Sequence, residues 1–400
     1  MPGCMHKGNE EASMAYDRDL SFVYFGPTKV VFGLGTARDC EVEMAGLGCR
    51  RALVVTDPGV MRAGLVEGVI KALGDKCVGL FSDVPQDTGV GVVNRAAAFA
   101  REKGVDCVVS VGGGSVIDTG KMVCILLTEG GGIEDFEGIQ LLTRPQTPHI
   151  VIPTTAGTGS EVTCIAVILD ERKGQKILSV EYFNAPRIAI LDPVMTAKLP
   201  PLLTASTGMD ALTHAVEALQ SVQREPIADG LAMHAIRMIC RYLPVCTANG
   251  EDLAARGQVQ IAATMAGWAS GNAMYGLVHA MAHSLGAVAR VPHGIANGIL
   301  LPHVMAFNLD DAAESYALVA EALGVREKEA DDRAAAEAAI AEIRSFLKRI
   351  GHPERLSAAG VKEADLAKAA TLSLSDGAIV NNPRFVLDAE EVLAVYRTAF

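Results

Sequence analysis

In VDCVVSVGGGSVIDTGK, Val105–Lys121, a nearly uncharged, β-branched run ends in three glycines, and an apolar spacing of helical type starts near Val116. This is a strand turning directly into a helix. Glycines at such a junction admit backbone angles closed to other residues, and the free amides of a helix start attract phosphate oxygens. Gly112, Gly113, Gly114 and Ser115 are therefore candidates to hold a pyrophosphate. A tight turn with no ligand would use the same glycines, so the motif alone leaves both readings open. The stricter GxGxxG fingerprint is absent, since Gly33-Leu34-Gly35 is followed by Thr, Ala and Arg.

The flanking sequence repeats the alternation. RALVVTD (51–57) precedes VMRAGLVEGVIKALG (60–74), and CVGLFSD (77–83) precedes VVNRAAAFAREKG (92–104). Strands alternating with helices predict a parallel sheet covered by helices, from about residue 21 to residue 200. After Pro200-Pro201 the character changes. DALTHAVEALQS, ADGLAMHAIRMICRYL and AAAEAAIAEIRSFLKRIG carry apolar residues at helical spacing with almost no strand signal, which predicts a helical domain over 201–400. Residues 1–20 read as an N-terminal extension, with neither the apolar centre of a secretion signal nor the Arg-rich character of an organelle presequence.

Composition bounds the function. The 400 residues carry a net charge of -12, and 50% of them are hydrophobic. An acidic surface repels nucleic acid and anionic membranes at long range, so small molecules are the expected partners. No apolar run of eighteen residues is free of charge, and nine cysteines without a CxxC pair suggest thiols in a reducing compartment. The expectation is a cytoplasmic protein that neither spans nor coats a membrane.

Two further segments suit a nucleotide. IPTTAGTGSEVT (152–163) follows the strand HIVIP and offers the hydroxyls of Thr154, Thr155 and Thr158 on a glycine-bearing loop, where an open α/β sheet holds its ligands. An ordinary Ser/Thr loop is the plain alternative. Asp57 closes RALVVTD, where it would accept a ribose hydroxyl and repel the extra phosphate of NADP; it would serve equally as a turn residue before Pro58-Gly59.

GMDALTHAVEA (208–218) and GLVHAMAHSLGAVARVPHG (276–294) suggest a metal centre. Asp210 and His214 are four apart, as are His279 and His283, and this spacing stacks each pair on one helix face. His293 lies just beyond the second helix. One carboxylate and three imidazoles leave a coordination position open, as a catalytic metal needs, and their nitrogen and oxygen atoms suit iron or zinc. Singly, each would pass as a helix-start acid or a buried, hydrogen-bonded histidine. Together, four such residues in two short segments favour a metal site.

GGGSVID, PTTAGTGSEVT, GMDALTHAVEA, HAMAHSLGA and PHGIANGILLPHV, in this order between Phe22 and the NNPR segment at 381–384, resemble the iron-containing (group III) alcohol dehydrogenases. The resemblance implies an N-terminal dinucleotide-binding α/β domain, an all-α C-terminal domain and an active site in the cleft between them. It implies that Asp210, His214, His279 and His293 hold a divalent metal, usually Fe²⁺ and in some members Zn²⁺. It further implies that His283 lies near nicotinamide and substrate, where it is the candidate to relay a proton. Gly113, Gly114, Ser115 and Asp118 would contact the NAD phosphates or their loop, Thr154, Thr155 and Lys176 the nucleotide, and Asp57 would select NAD. Ile165, Ser270 and Ala378 match the alcohol pocket, and the aromatic residue often found at the second position is missing. Many members carry Asn-Pro near Gln86-Asp87, which this chain lacks. The implied reaction is hydride transfer between NAD(H) and a small alcohol, aldehyde or ketone, in a homodimer. A hydroxyacid-oxoacid transhydrogenase retaining its NAD would use the same site, and a non-catalytic nucleotide or metal sensor is the reading from another class.

Overall fold

The computed structural model describes residues 20–172 and 175–400, so the N-terminal extension lies outside the described residues but for Leu20. Among the described residues there are nine strands: β1 (Lys29–Phe32), β2 (Ala52–Thr56), β3 (Cys77–Phe81), β4 (Cys107–Gly112), β5 (Gly138–Ile139), β6 (His149–Pro153), β7 (Ile165–Asp170), β8 (Gln175–Val180) and β9 (Ile188–Leu191). Six of them form one sheet in the order β1-β9-β6-β4-β2-β3, with every pair parallel. The helices α1 (Cys40–Gly46), α2 (Pro58–Arg62), α3 (Val66–Leu73), α4 (Val90–Glu102) and α5 (Gly114–Glu129) connect these strands.

Strand alternation explains the burial on both faces. Leu53 and Val55 of β2 join Val108 in a core under α4 and α5, whereas Ala52 and Val54 join Cys107, Val109 and Val111 in a core under α1 and α3. Side chains two apart share a face, so a sheet covered on both sides needs the continuous apolar runs seen in the sequence. The chain leaves β2 outward to β3, then returns to the other side of β2 for β4. That reversal is a topological switch point. Open α/β sheets hold their ligands beyond the carboxyl ends of the strands at such a point, and Asp57 and the triple glycine stand at the carboxyl ends of β2 and β4.

Two details differ from the sequence expectation. The segment 60–74 is two short helices, because Gly64 turns the chain at φ +69° between α2 and α3. The helix after the glycines starts at Gly114, not near Val116. A small second sheet, β5-β8-β7, was not foreseen; β7 and β8 pair antiparallel in it.

Helices follow from Pro201: α6 (Pro201–Gln220), α7 (Pro226–Ala248), α8 (Leu253–Ala273), α9 (Leu277–Ala289), α10 (His293–Phe307), α11 (Leu309–Leu323), α12 (Asp332–Arg349), α13 (Glu363–Ser373) and α14 (Ala389–Ala399). The fold is thus an α/β N-terminal domain with a helical C-terminal one. Pro201 starts α6 without loss, since the first helical amide has no intrahelical partner. From Met209 to Gln220 every residue of α6 is buried, and the helix packs against α7, α8 and α10. No described helix is long and apolar enough to cross a membrane, and the eight described cysteines are free thiols.

Candidate active site

Asp210 projects from the middle of α6, His279 from the first turn of α9, and His293 is the first residue of α10. One ligand atom from each lies within 4.8 Å of the others. His293 Nε2 is 3.4 Å and His279 Nε2 4.0 Å from Asp210 Oδ1. His214 lies one turn after Asp210, with its Nε2 3.9 Å from Asp210 Oδ1 and its ring stacked on His279 at 4.7 Å. It stands beside the cluster of three and outside their common 4.8 Å sphere.

The donor set fits a cation. Asn297, one turn into α10, points its Nδ2 at Asp210 Oδ1 (2.6 Å), His293 Nε2 (3.0 Å) and His279 Nε2 (3.3 Å). Three acceptors thus converge on one electropositive group. Among the described residues, His214 Nδ1 and Asn297 Oδ1 are buried without a partner, a costly state that rearrangement around an ion would relieve. Burial pushes His279 and His293 well below the ordinary imidazole value, which favours the neutral rings that bind metals.

Supporting residues surround the cluster. Glu217, two turns after Asp210 on the same α6 face, hydrogen-bonds His279 Nδ1 through Oε2 and accepts the Val278 amide through Oε1 at 2.8 Å. Its burial raises the carboxyl to about 7. His283 stacks on His293 with ring centroids 5.1 Å apart, and its Nδ1 is 2.8 Å from Asp376 Oδ2. Asp376 Oδ1 accepts the Ala378 amide at 2.9 Å, so one carboxylate ties His283 to a pocket candidate. Asn382 Oδ1 accepts the Leu277 amide, and the Tyr396 hydroxyl donates to the Met281 carbonyl. Three residues late in the chain therefore hold α9.

Tyr275, between α8 and α9, joins the cluster to the other pocket candidates. Its ring is 4.5 Å from that of His279 and 5.4 Å from that of His214. Its hydroxyl lies near Ser270, and its ring packs in the apolar group that contains Ile165. An aromatic ring thus lies beside Ser270, although the sequence supplies none at 270 itself. Ile165 and Ser270 are buried and Ala378 is half-buried.

On the sheet side, a Cβ on Gly114 would stand 2.8 Å from Thr158 Cγ2, and one on Gly113 would stand 3.2 Å from Thr155 Cγ2. The Thr154–Thr158 loop thus packs directly on the glycine turn, and the Thr154 amide donates to the Gly112 carbonyl at 3.0 Å. Asp118 faces inward, taking Ser160 Oγ at 2.5 Å and the Val167 amide at 3.0 Å, so its carboxylate braces the loop. Lys121, wholly buried, donates to Ser160, Thr163 and the Ile165 carbonyl. Burial drives both Asp118 and Lys121 toward their neutral forms. Asp57 Oδ1 caps α2 by accepting the Gly59 and Val60 amides, which leaves Oδ2 as the atom that could face a ribose. Lys176 Nζ lies 3.4 Å from Asp87 Oδ1.

The loop also reaches the helical half. Thr264 of α8 donates to Glu161 at 2.7 Å, and a Cβ on Gly159 would meet the Gly267 Cα of α8 at 2.4 Å. Of the supporting residues, Glu217 (seven after Asp210) and Asn297 (four after His293) had a readable helical spacing. Tyr275 and Asp376 had none.

Comparison with known proteins agrees with this geometry. The family described as iron-containing alcohol dehydrogenase matches residues 27–193, and the Fe-containing alcohol dehydrogenase family, C-terminal, matches residues 204–400. The chain is 36% identical to the NAD-dependent methanol dehydrogenase of Bacillus methanolicus, over 94% of this chain and 99% of that protein. It is 40% identical to the 1,3-propanediol dehydrogenase of Klebsiella pneumoniae, over 94% and 96% of the two chains. A crystal structure of 1,3-propanediol oxidoreductase superposes with a TM-score of 0.92 at 39% identity, covering 95% of this chain and all of the other.

Proposed function

The chain belongs to the iron-containing alcohol dehydrogenase family, and from that premise we propose that it transfers a hydride between NAD(H) and a small alcohol or the matching carbonyl compound. The convergence of Asp210, His279 and His293 on one point carries the reading. With His214 beside them, they would hold a divalent cation, Fe²⁺ as the family's name implies, with Zn²⁺ compatible with the same nitrogen and oxygen atoms. Such a cation supplies Lewis acidity toward the substrate oxygen.

The chain's own groups do the rest. Amides at Gly112, Gly113, Gly114 and Ser115 receive the cofactor diphosphate at the start of α5, while Thr154, Thr155, Thr158 and Lys176 close over it. Asp118 acts through the loop it braces, and Asp57 receives the ribose. Asp376 takes the Nδ1–H of His283, so Nε2 is left to accept a proton and pass it toward solvent. Ile165, Ser270, Ala378 and Tyr275 shape the space for the alcohol.

The test is absorbance at the reduced-nicotinamide band, with iron-loaded and zinc-loaded protein against a panel of small alcohols and aldehydes. Turnover in the wild type, lost together with bound metal in His279→Ala, is the expected result. Silence across the panel with both metals would overturn the dehydrogenase reading. Full activity in metal-free His279→Ala would overturn the metal assignment.

A further inference from the structure

Asp87 is held in place from several sides. Its backbone lies in the left-handed region at φ +51°, where Asp and Asn are the least penalised of the side-chain-bearing residues. Its amide donates to Ser115 Oγ at 3.2 Å, at the start of α5, and its carboxylate reaches Lys176 Nζ at 3.4 Å. The next residue, Thr88, accepts the Leu169 amide at 2.9 Å, and Leu169 is the cross-strand neighbour of Lys176 in the β7–β8 pair. Gly89 then bridges to Leu169, and a Cβ there would overlap the Glu171 carboxylate at 1.7 Å. The segment 87–89 is therefore fastened to the small sheet, and Asp87 stands between that sheet and the glycine turn.

We propose that Asp87 is a built-in competitor for the cofactor: it holds Lys176 beside Ser115, so an incoming dinucleotide must draw Lys176 away from Asp87 to seat its phosphates, and Asp87 thereby weakens dinucleotide binding. The inference rests on the nucleotide reading of the glycine turn. Its chemistry is simple charge. A carboxylate next to an anion site repels the phosphates and offers the lysine an alternative partner. Because Asp87 is about half exposed, at 52%, water screens the effect and keeps it modest. A dehydrogenase that must release its dinucleotide at every turnover benefits from such a rival, since product release commonly limits the cycle.

The experiment measures the affinity of the full-length, metal-loaded protein for NADH by fluorescence and for ADP-ribose, which keeps the diphosphate without the nicotinamide, by calorimetry. The wild type is compared with Asp87→Asn, Lys176→Met and the double variant. Asn keeps the left-handed backbone and the amide bond to Ser115 while removing the charge. Asp87→Asn should tighten both ligands about threefold at low salt, a gain that shrinks as salt rises. Lys176→Met should weaken both, and the gain from Asp87→Asn should be smaller in its background. Unchanged or weaker binding in Asp87→Asn overturns the inference alone, as does an undiminished gain without Lys176. A wild type that binds neither NADH nor ADP-ribose overturns the nucleotide reading and this inference with it.

Discussion

Glu217 fixes the tautomer of His279: its Oε2 faces Nδ1, and its second oxygen is already committed to the Val278 amide. Nδ1 then carries the ring proton, and the Nε2 lone pair turns toward Asp210 and His293. Glu217→Gln keeps the acceptor for Val278 but presents an NH₂ to Nδ1. The proton is thereby driven to Nε2, the atom that the proposed metal would need. Metal affinity, read by competition with a coloured chelator, should fall about 10- to 100-fold. Affinity equal to wild type would show that the carboxylate does not orient the ring.

Asp57 caps α2, and under the proposed function it also selects the cofactor. Asp57→Ser retains a good helix cap and removes the charge. The ratio of kcat/KM for NADP⁺ to that for NAD⁺ should rise about tenfold, since repulsion of a ribose phosphate by a nearby carboxylate is worth on the order of 1–2 kcal/mol. The melting temperature should stay close to wild type.

Gly159 and Gly267 meet backbone to backbone, and Gly159 also needs φ +63°. A methyl group at 267 would stand 2.6 Å from the Gly159 Cα, with no flexible side chain there to give way. Gly267→Ala should cost about 1–3 kcal/mol by overpacking. It should also weaken NADH binding, because the displaced loop is the one packed on the glycine turn. Denaturant unfolding and fluorescence titration check the two effects separately.

His149, at the start of β6, is buried with Nε2 2.8 Å from Ser110 Oγ, and burial pushes it down from its ordinary 6.5 to about 3. The unfolded chain takes up that proton near pH 6.5, whereas the folded chain resists it until about pH 3. This contribution is therefore whole above pH 6.5 and is lost progressively as pH falls through the window. Between pH 7 and pH 5 the loss from His149 alone is about 2 kcal/mol. His149→Gln should unfold over a flatter acid profile by circular dichroism. An unchanged profile would assign the acid sensitivity to other groups.

The parallel sheet was legible because its strands are buried on both faces and so read as unbroken apolar runs; β2 and β4 are the clearest cases. The small sheet was not. Its strands β5 and β8 carry exposed or charged residues such as Ile139 and Lys176, and β5 is only two residues long. At the site, the four-residue spacings of α6 and α9 announced Asp210, His214, His279 and His283. Asp376 escaped notice because it reaches His283 from a separate helix cap 93 positions away, a pairing that only tertiary structure creates.

The anchoring of α9 also fixes the order in which the protein can be completed. Asp376, Asn382 and Tyr396 hold His283, Leu277 and Met281 from a stretch synthesised about a hundred residues later. On a ribosome the sheet can close early, while the histidine helix waits for these three tethers. Chains released before Asp376 would lose all three tethers together with the buried side chains of α14, so a nonsense mutation late in the gene would strip α9 of its supports and open the helical core at once.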